Sequence, residues 1–251
     1  MDLGYRAATA IAWAGILWTG VRLRITGLRN IPDRGPAVIA INHTALVDFL
    51  FAGVGVHKAN GRPVRFLAKH TIWQRPVAGR IMRICRQIPV DRSHGAQGLR
   101  RALDALAEGD LVGIYPEATP SRSFELKHFK TGAVRMAQQT GCPILPTIVW
   151  GAQRIWTKDH PRNLSRSHIP VRVAYGRPLQ VGPEEDVVAA TAKLRATMAR
   201  MLDDVIAEYP PMTGTDLAFL PAHWGGTAPT PAQAYARDLA EMQQARDGVT
   251  G

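Results

Sequence analysis

Cysteine is nearly absent from this chain, and the two present, Cys85 and Cys142, are far apart. That excludes a disulfide framework and a zinc knuckle, and a reducing compartment fits. No Gly-x-Ser-x-Gly elbow occurs, and neither cysteine lies close in sequence to His43. Nothing therefore marks a covalent serine or cysteine nucleophile. Acids are scarce, 20 Asp+Glu against 31 Lys+Arg, for a net charge of +11. Lysine is scarce as well, occurring only at 58, 69, 127, 130, 158 and 193, so arginine carries the excess. Guanidinium groups suit phosphate and carboxylate recognition. Long apolar runs are missing. The uncharged stretch Ala7–Val21 falls short of the roughly 20 residues that span a bilayer.

What the N-terminus does offer is an apolar segment bracketed by Arg6, Arg22 and Arg24, with Trp13 and Trp18 inside it. Indole rings and flanking arginines suit the headgroup boundary, so residues 1–21 are expected to form a membrane-associating helix lying in or on one leaflet. A cleaved signal peptide is not expected, because Arg22 opens what reads as a first strand. Packing of the same helix on the protein's own core is the alternative. The basic excess is concentrated between Arg62 and Arg101, with ten Lys or Arg and the single acid Asp91. Such a block favours an anionic partner, while a solvated basic face is the plain alternative.

Short β-like runs alternate with helical patterns across residues 22–210, which predicts an α/β domain with a mixed central sheet flanked by helices. Strands are expected at 21–26, 36–41, 64–68, 87–90, 111–115, 144–150 and 171–175. Pro146 would push the sixth of these to an irregular or edge position. Helices are expected at 46–58, 73–85, 96–108, 131–140 and 184–208. Beyond Pro210-Pro211 the composition turns to Gly, Pro and Thr. Residues 211–251 therefore read as an extension ending in a polar helix from Pro231 to Arg246.

The most informative stretch is Asn42-His43-Thr44-Ala45-Leu46-Val47-Asp48. An imidazole takes a proton near neutral pH, and a carboxylate can hold its tautomer and steady the imidazolium. On one continuous helix a five-residue step leaves two side chains about 140° apart. The pair can meet only if His43 sits on the turn before a helix and Asp48 inside it, with Thr44 as a candidate N-cap. A zinc site at this pair would lack a third ligand at any recognisable spacing, so no metal is expected. A second polar cluster, Glu117-Ala118-Thr119-Pro120-Ser121-Arg122, follows the strand ending at Tyr115 and could hold a hydroxylated, anionic molecule.

Together these blocks resemble the glycerolipid acyltransferase family, of lysophosphatidic acid acyltransferase type. Asn42-His43 through Asp48 is similar to its Asn-His-x-x-x-x-Asp block. Ile88-Pro89-Val90-Asp91-Arg92 resembles its second block, and Tyr115-Pro116-Glu117-Ala118-Thr119-Pro120-Ser121 its third, usually Phe-Pro-Glu-Gly-Thr-Arg-Ser. Pro143-Ile144-Leu145-Pro146-Thr147 resembles the fourth, and Phe129-Lys130-Thr131-Gly132 the segment between the last two. The resemblance covers roughly residues 20–180.

It implies a general base, His43, oriented by Asp48 and acting on the hydroxyl of lysophosphatidic acid. That hydroxyl attacks the thioester of an acyl-CoA or acyl-carrier protein and gives phosphatidic acid. No cofactor is implied beyond the thioester co-substrate. Glu117, Thr119, Ser121 and Lys130 would help hold the acceptor, and Arg92 would pair with its phosphate. Pro120 replaces the family's arginine, so Arg122 is expected to reach the same anion by another path. The implied partners are membrane lipids, the acyl donor and the lyso-lipid acceptor, with no nucleic acid. The implied location is the cytoplasmic side of the cell membrane, peripheral or monotopic. A glycolipid or another lysophospholipid as acceptor, and a non-catalytic basic membrane-binding module, remain alternatives.

Overall fold

The computed structural model describes residues 3–91 and 95–247. A single α/β domain is built on a seven-stranded mixed sheet. Its strands are β1 (Arg22–Thr26), β2 (Ala37–Ile41), β3 (Val64–Lys69), β4 (Ile88–Val90), β5 (Leu111–Ile114), β6 (Ile144–Trp150) and β7 (Pro170–Tyr175), in the order β1-β7-β6-β2-β5-β3-β4. All neighbouring pairs run parallel except β6 with β7. The helices are α1 (Leu3–Thr19), α2 (Asp48–Asn60), α3 (Pro76–Ile84), α4 (Gly95–Ala107), α5 (Gly132–Thr140), α6 (Val187–Ala207) and α7 (Pro231–Asp247).

Strand β2 shows why the centre of the sheet forms where it does. All five of its residues are buried, and they alternate between two cores. Val38 and Ala40 join the core packed by α4, α5 and α6, whereas Ala37, Ile39 and Ile41 join the core on the α2 side. A strand buried on both faces has to be apolar at every position, and this one is. Strand β6 repeats the arrangement, with Ile144, Ile148 and Trp150 on one side and Leu145 and Val149 on the other.

That placement corrects the expectation for Pro146. Strand β6 lies inside the sheet, between β2 and β7. The proline is tolerated because of which way it faces. The N and C=O of one strand residue point to the same side, and the Pro146 carbonyl accepts from the Gly176 N–H at 2.8 Å. Gly176 lies one residue past the end of β7, so the missing proline N–H falls at the end of that ladder and interrupts no bond within it.

Residues after 210 pack on the body. Met212, Phe219, Leu220 and Ala228 join the core under α6, and the short 3-10 turns at Gly214–Phe219 and Ala222–Trp224 precede α7. Arginines of the basic block are partly consumed by structure. Arg62 donates to the carbonyls of Pro32, Gly35 and Gly109, and buried Arg65 pairs with Asp110 at 3.1 Å. Arg75, Arg80 and Arg83 stay exposed.

Candidate active site

Strands β2 and β5 are parallel neighbours at the centre of the sheet, so the turns leaving their C-terminal ends emerge side by side. Crevices at the C-terminal ends of strands are where such sheets place their ligands. The turn after β2 carries His43, and the turn after β5 carries Glu117. Their meeting is the core of the site.

His43 Nδ1 lies 3.4 Å from Asp48 Oδ2, and the carboxylate is fully buried. The same oxygen accepts the backbone N–H groups of Thr44 at 3.0 Å and Ala45 at 2.7 Å. The expected cap is thereby replaced. Helix α2 starts at Asp48 itself, Val47 is its N-cap, and the Thr44 hydroxyl finds no partner among the described residues. Asp48 closes the His43 turn onto the helix start, where the partial positive charge of the first turn favours a carboxylate. Burial nevertheless raises the Asp48 carboxyl above its ordinary range, against the pull of His43 and the two N–H groups. The His43 ring is 12% exposed, and its Nε2 has no partner among the described residues.

Glu117 ties the two turns together. Its Oε1 accepts the His43 N–H at 2.7 Å and its Oε2 accepts the Lys127 N–H at 2.9 Å. Burial pushes its carboxyl up to about 7, while those two N–H groups pull it down. The turn is closed again where the Ser121 N–H donates to the His43 carbonyl at 2.7 Å. Tyr115 stacks on the imidazole with ring centroids 3.8 Å apart and planes 13° from parallel. From behind, the Asn42 side chain brackets both backbone groups of Val149 on β6, and the Thr157 hydroxyl donates to the Thr44 carbonyl at 2.7 Å. Sequence reasoning passed over Asn42, Tyr115 and Thr157 as site residues. Asn42 and Tyr115 lie inside the first and third motif blocks, whereas Thr157, 113 residues from Thr44, carries no sequence signal.

The other expected residues divide. Glu117 is a buried staple between backbones. The Ser121 hydroxyl is buried against that of Ser123, 3.1 Å away. Lys130 is exposed, and its backbone N–H donates to the Pro116 carbonyl. Arg92 lies outside the described residues. Thr119 accepts from Lys127 Nζ at 2.7 Å. Arg122 is 8% exposed, and each of its three nitrogens faces a carboxylate: Nε to Asp159 at 2.6 Å, Nη2 to Glu241 at 2.7 Å, and Nη1 to Asp238. Among the described residues no group of His, Cys, Asp and Glu could hold a metal ion.

Comparison with known proteins bears on the family and the fold. The family model described as Acyltransferase matches residues 22–150. Relatives named 1-acyl-sn-glycerol-3-phosphate acyltransferase include one from Borreliella burgdorferi, 29% identical over 57% of this chain and 57% of its own length. The chloroplastic LPAT1 of Arabidopsis thaliana is 29% identical over 76% of this chain and 52% of its own. The chain thus spans a little over half the length of these relatives. The crystal structure of the 1-acyl-sn-glycerophosphate (LPA) acyltransferase PlsC from Thermotoga maritima shares the fold, with a TM-score of 0.66 at 20% identity over 82% of this chain and 81% of that one. On the family match, which takes in both turns of the site, the chain belongs to the Acyltransferase family.

Proposed function

We propose that this protein transfers a fatty acyl group from acyl-CoA or an acyl-carrier protein to the hydroxyl of lysophosphatidic acid, giving phosphatidic acid. The observation that carries the reading is the His43–Asp48 pair: with Nδ1 facing the carboxylate, Nε2 is the ring nitrogen left to meet a substrate. Nε2 takes the proton from the acceptor hydroxyl as its oxygen attacks the thioester carbonyl. The tetrahedral intermediate then collapses, the C–S bond breaks, and the departing thiolate receives that proton from the imidazolium. Asp48 steadies the cation between these steps, and the Tyr115 ring keeps the imidazole in plane. The thioester is already activated and the alcohol is the nucleophile, so no acyl-enzyme is needed.

A membrane-bound mode of action accords with the surface around α1 and α3. Leu3, Ile11, Leu17 and Trp18 of α1 are exposed, Trp18 to 78%. Val77, Ile81 and Ile84 of α3 are exposed beside Arg80 and Arg83. Among the described residues no helix is long and apolar enough to cross a membrane. Apolar side chains interleaved with arginines suit peripheral or monotopic seating on acidic lipid, and we place the protein on the cytoplasmic side of the cell membrane.

The occupied Arg122 and the proline at 120 favour one second reading, an acceptor with a different headgroup. A panel on purified protein tests both. Palmitoyl-CoA and palmitoyl-carrier protein would each be offered with lysophosphatidic acid, other lysophospholipids and a glycolipid. Preferred transfer to lysophosphatidic acid is expected. Transfer to none of them refutes the proposal.

A further inference from the structure

The last helix reaches back to the third motif block. Asp238 and Glu241 lie on one face of α7, with Ala234 one turn earlier. Among the described side chains of α7, only Ala234 is buried and only Asp238 is part-buried. Tyr235, Leu239 and Met242 all turn to solvent. The helix is therefore held to the body chiefly by charge. Asp238 bridges Arg122 and Lys127, and Glu241 accepts from Arg122 and from Lys158, each at 2.7 Å. Asp159 supplies a third carboxylate to Arg122. Three cations thus face three anions, all belonging to this chain.

The two central cations are fastened to the catalytic turn. Arg122 follows Ser121, whose N–H holds the His43 carbonyl. Lys127 shares Glu117 with the His43 N–H and reaches Thr119 with its ammonium group. An anionic headgroup placing its neighbouring hydroxyl at His43 finds its natural counter-charges here, and finds them taken.

We infer that Asp238 and Glu241 are acceptor-selecting residues, internal anions that compete with the acceptor's phosphate for Arg122 and Lys127. The inference rests on the acyltransferase reading for its choice of acceptor, but its physical content is an occupancy. A phosphate gains Arg122 only as these carboxylates release it, so the affinity lost to the competition falls on charged headgroups and spares neutral ones. The pairing is firm: Lys158 and Arg122 hold the Glu241 carboxyl down to about 2, and the carboxylates more than offset the burial that would otherwise lower the Arg122 guanidinium. Glu241 is also 52% exposed, so it can leave without opening the core.

The test uses the full chain carrying Asp238→Asn together with Glu241→Gln. Binding of a soluble short-chain lysophosphatidate and of its dephosphorylated monoacylglycerol would be titrated calorimetrically, alongside KM for each in acyl transfer. Kd for the phosphorylated ligand is expected to fall at least about tenfold, the scale of one freed charge-assisted hydrogen bond. Kd for the monoacylglycerol should move less than twofold. The gain should vanish when Arg122→Ala is added. Glu241→Gln alone, at a half-exposed position, should give a smaller gain in the same direction and guards against misfolding of the double variant. An unchanged or weaker Kd for the phosphorylated ligand in both variants, or equal tightening of the neutral one, overturns the inference. Tighter binding in a protein that transfers acyl groups to no acceptor would instead refute the proposed reaction and leave the occupancy standing.

Discussion

Replacing Asp48 by asparagine separates the two jobs of this carboxylate. The amide keeps nearly the same shape as the carboxylate, and its oxygen can still accept from the Thr44 and Ala45 N–H groups, now at 3.0 and 2.7 Å. What disappears is the negative charge 3.4 Å from His43 Nδ1. Two unit charges at that distance attract by about 332/(20 × 3.4), or about 5 kcal/mol, at an effective dielectric near 20. The part-open imidazole and the remaining amide dipole reduce this to about 3–4 kcal/mol, a loss of roughly 10²- to 10³-fold in kcat. Stability should fall by no more than about 1 kcal/mol: the neutral amide relieves the burial that raises the Asp48 carboxyl, which offsets the cost of placing its NH2 where Oδ1 has no partner among the described residues. Asp48→Ala is different. It strands two buried N–H groups and should also lower stability by about 2–4 kcal/mol. The assay is kcat at saturating palmitoyl-CoA and lysophosphatidic acid, paired with thermal unfolding of both variants. An Asp48→Asn variant with wild-type kcat, or one destabilised as much as Asp48→Ala, would show that the carboxylate only closes the turn.

Glu117 makes stability depend on pH. Its carboxyl is raised from an ordinary 4.5 to about 7 in the folded chain, so its contribution is complete below pH 4.5 and is lost as pH rises through 7. Wild type should therefore lose on the order of 3 kcal/mol relative to Glu117→Gln across that window, read by denaturant unfolding at a series of pH values. A pH-independent difference between the two would contradict the buried carboxyl. Ala118 holds φ at +63°, a left-handed turn that disfavours any Cβ. Ala118→Gly should raise stability by about 0.5–1 kcal/mol, after the glycine's own unfolded-state entropy is subtracted, and a lower Tm would count against the turn geometry.

The parts of this molecule legible in the sequence were those set by local pattern. Continuous apolar runs mark β2 and β6 as strands, and the five-residue spacing of His43 and Asp48 demands a turn against a helix start, which is where the two sit. The details went astray where a second element decides. Thr44 looked like a cap because its hydroxyl is the usual choice, but Asp48 reaches back and takes the N–H groups first. Pro146 looked like an edge residue, yet the end of β7 leaves room for it inside the sheet. Glu117 also accepts two backbone N–H groups from separate turns, a structural role that its place in the third block does not announce. Arg122 was the hardest. Its partners are 37, 116 and 119 residues away in sequence, and two of them sit on the polar helix of the C-terminal extension.

The central claim is that the His43 imidazole draws the proton from the acceptor's hydroxyl. It is tested most directly by transfer of labelled palmitate from palmitoyl-CoA to lysophosphatidic acid in vesicles, with wild type beside His43→Ala, both checked for intact folding by calorimetry. The account predicts label in phosphatidic acid for wild type and a loss of at least about 10³-fold for the variant at nearly unchanged Tm. Equal transfer by the folded variant would contradict it.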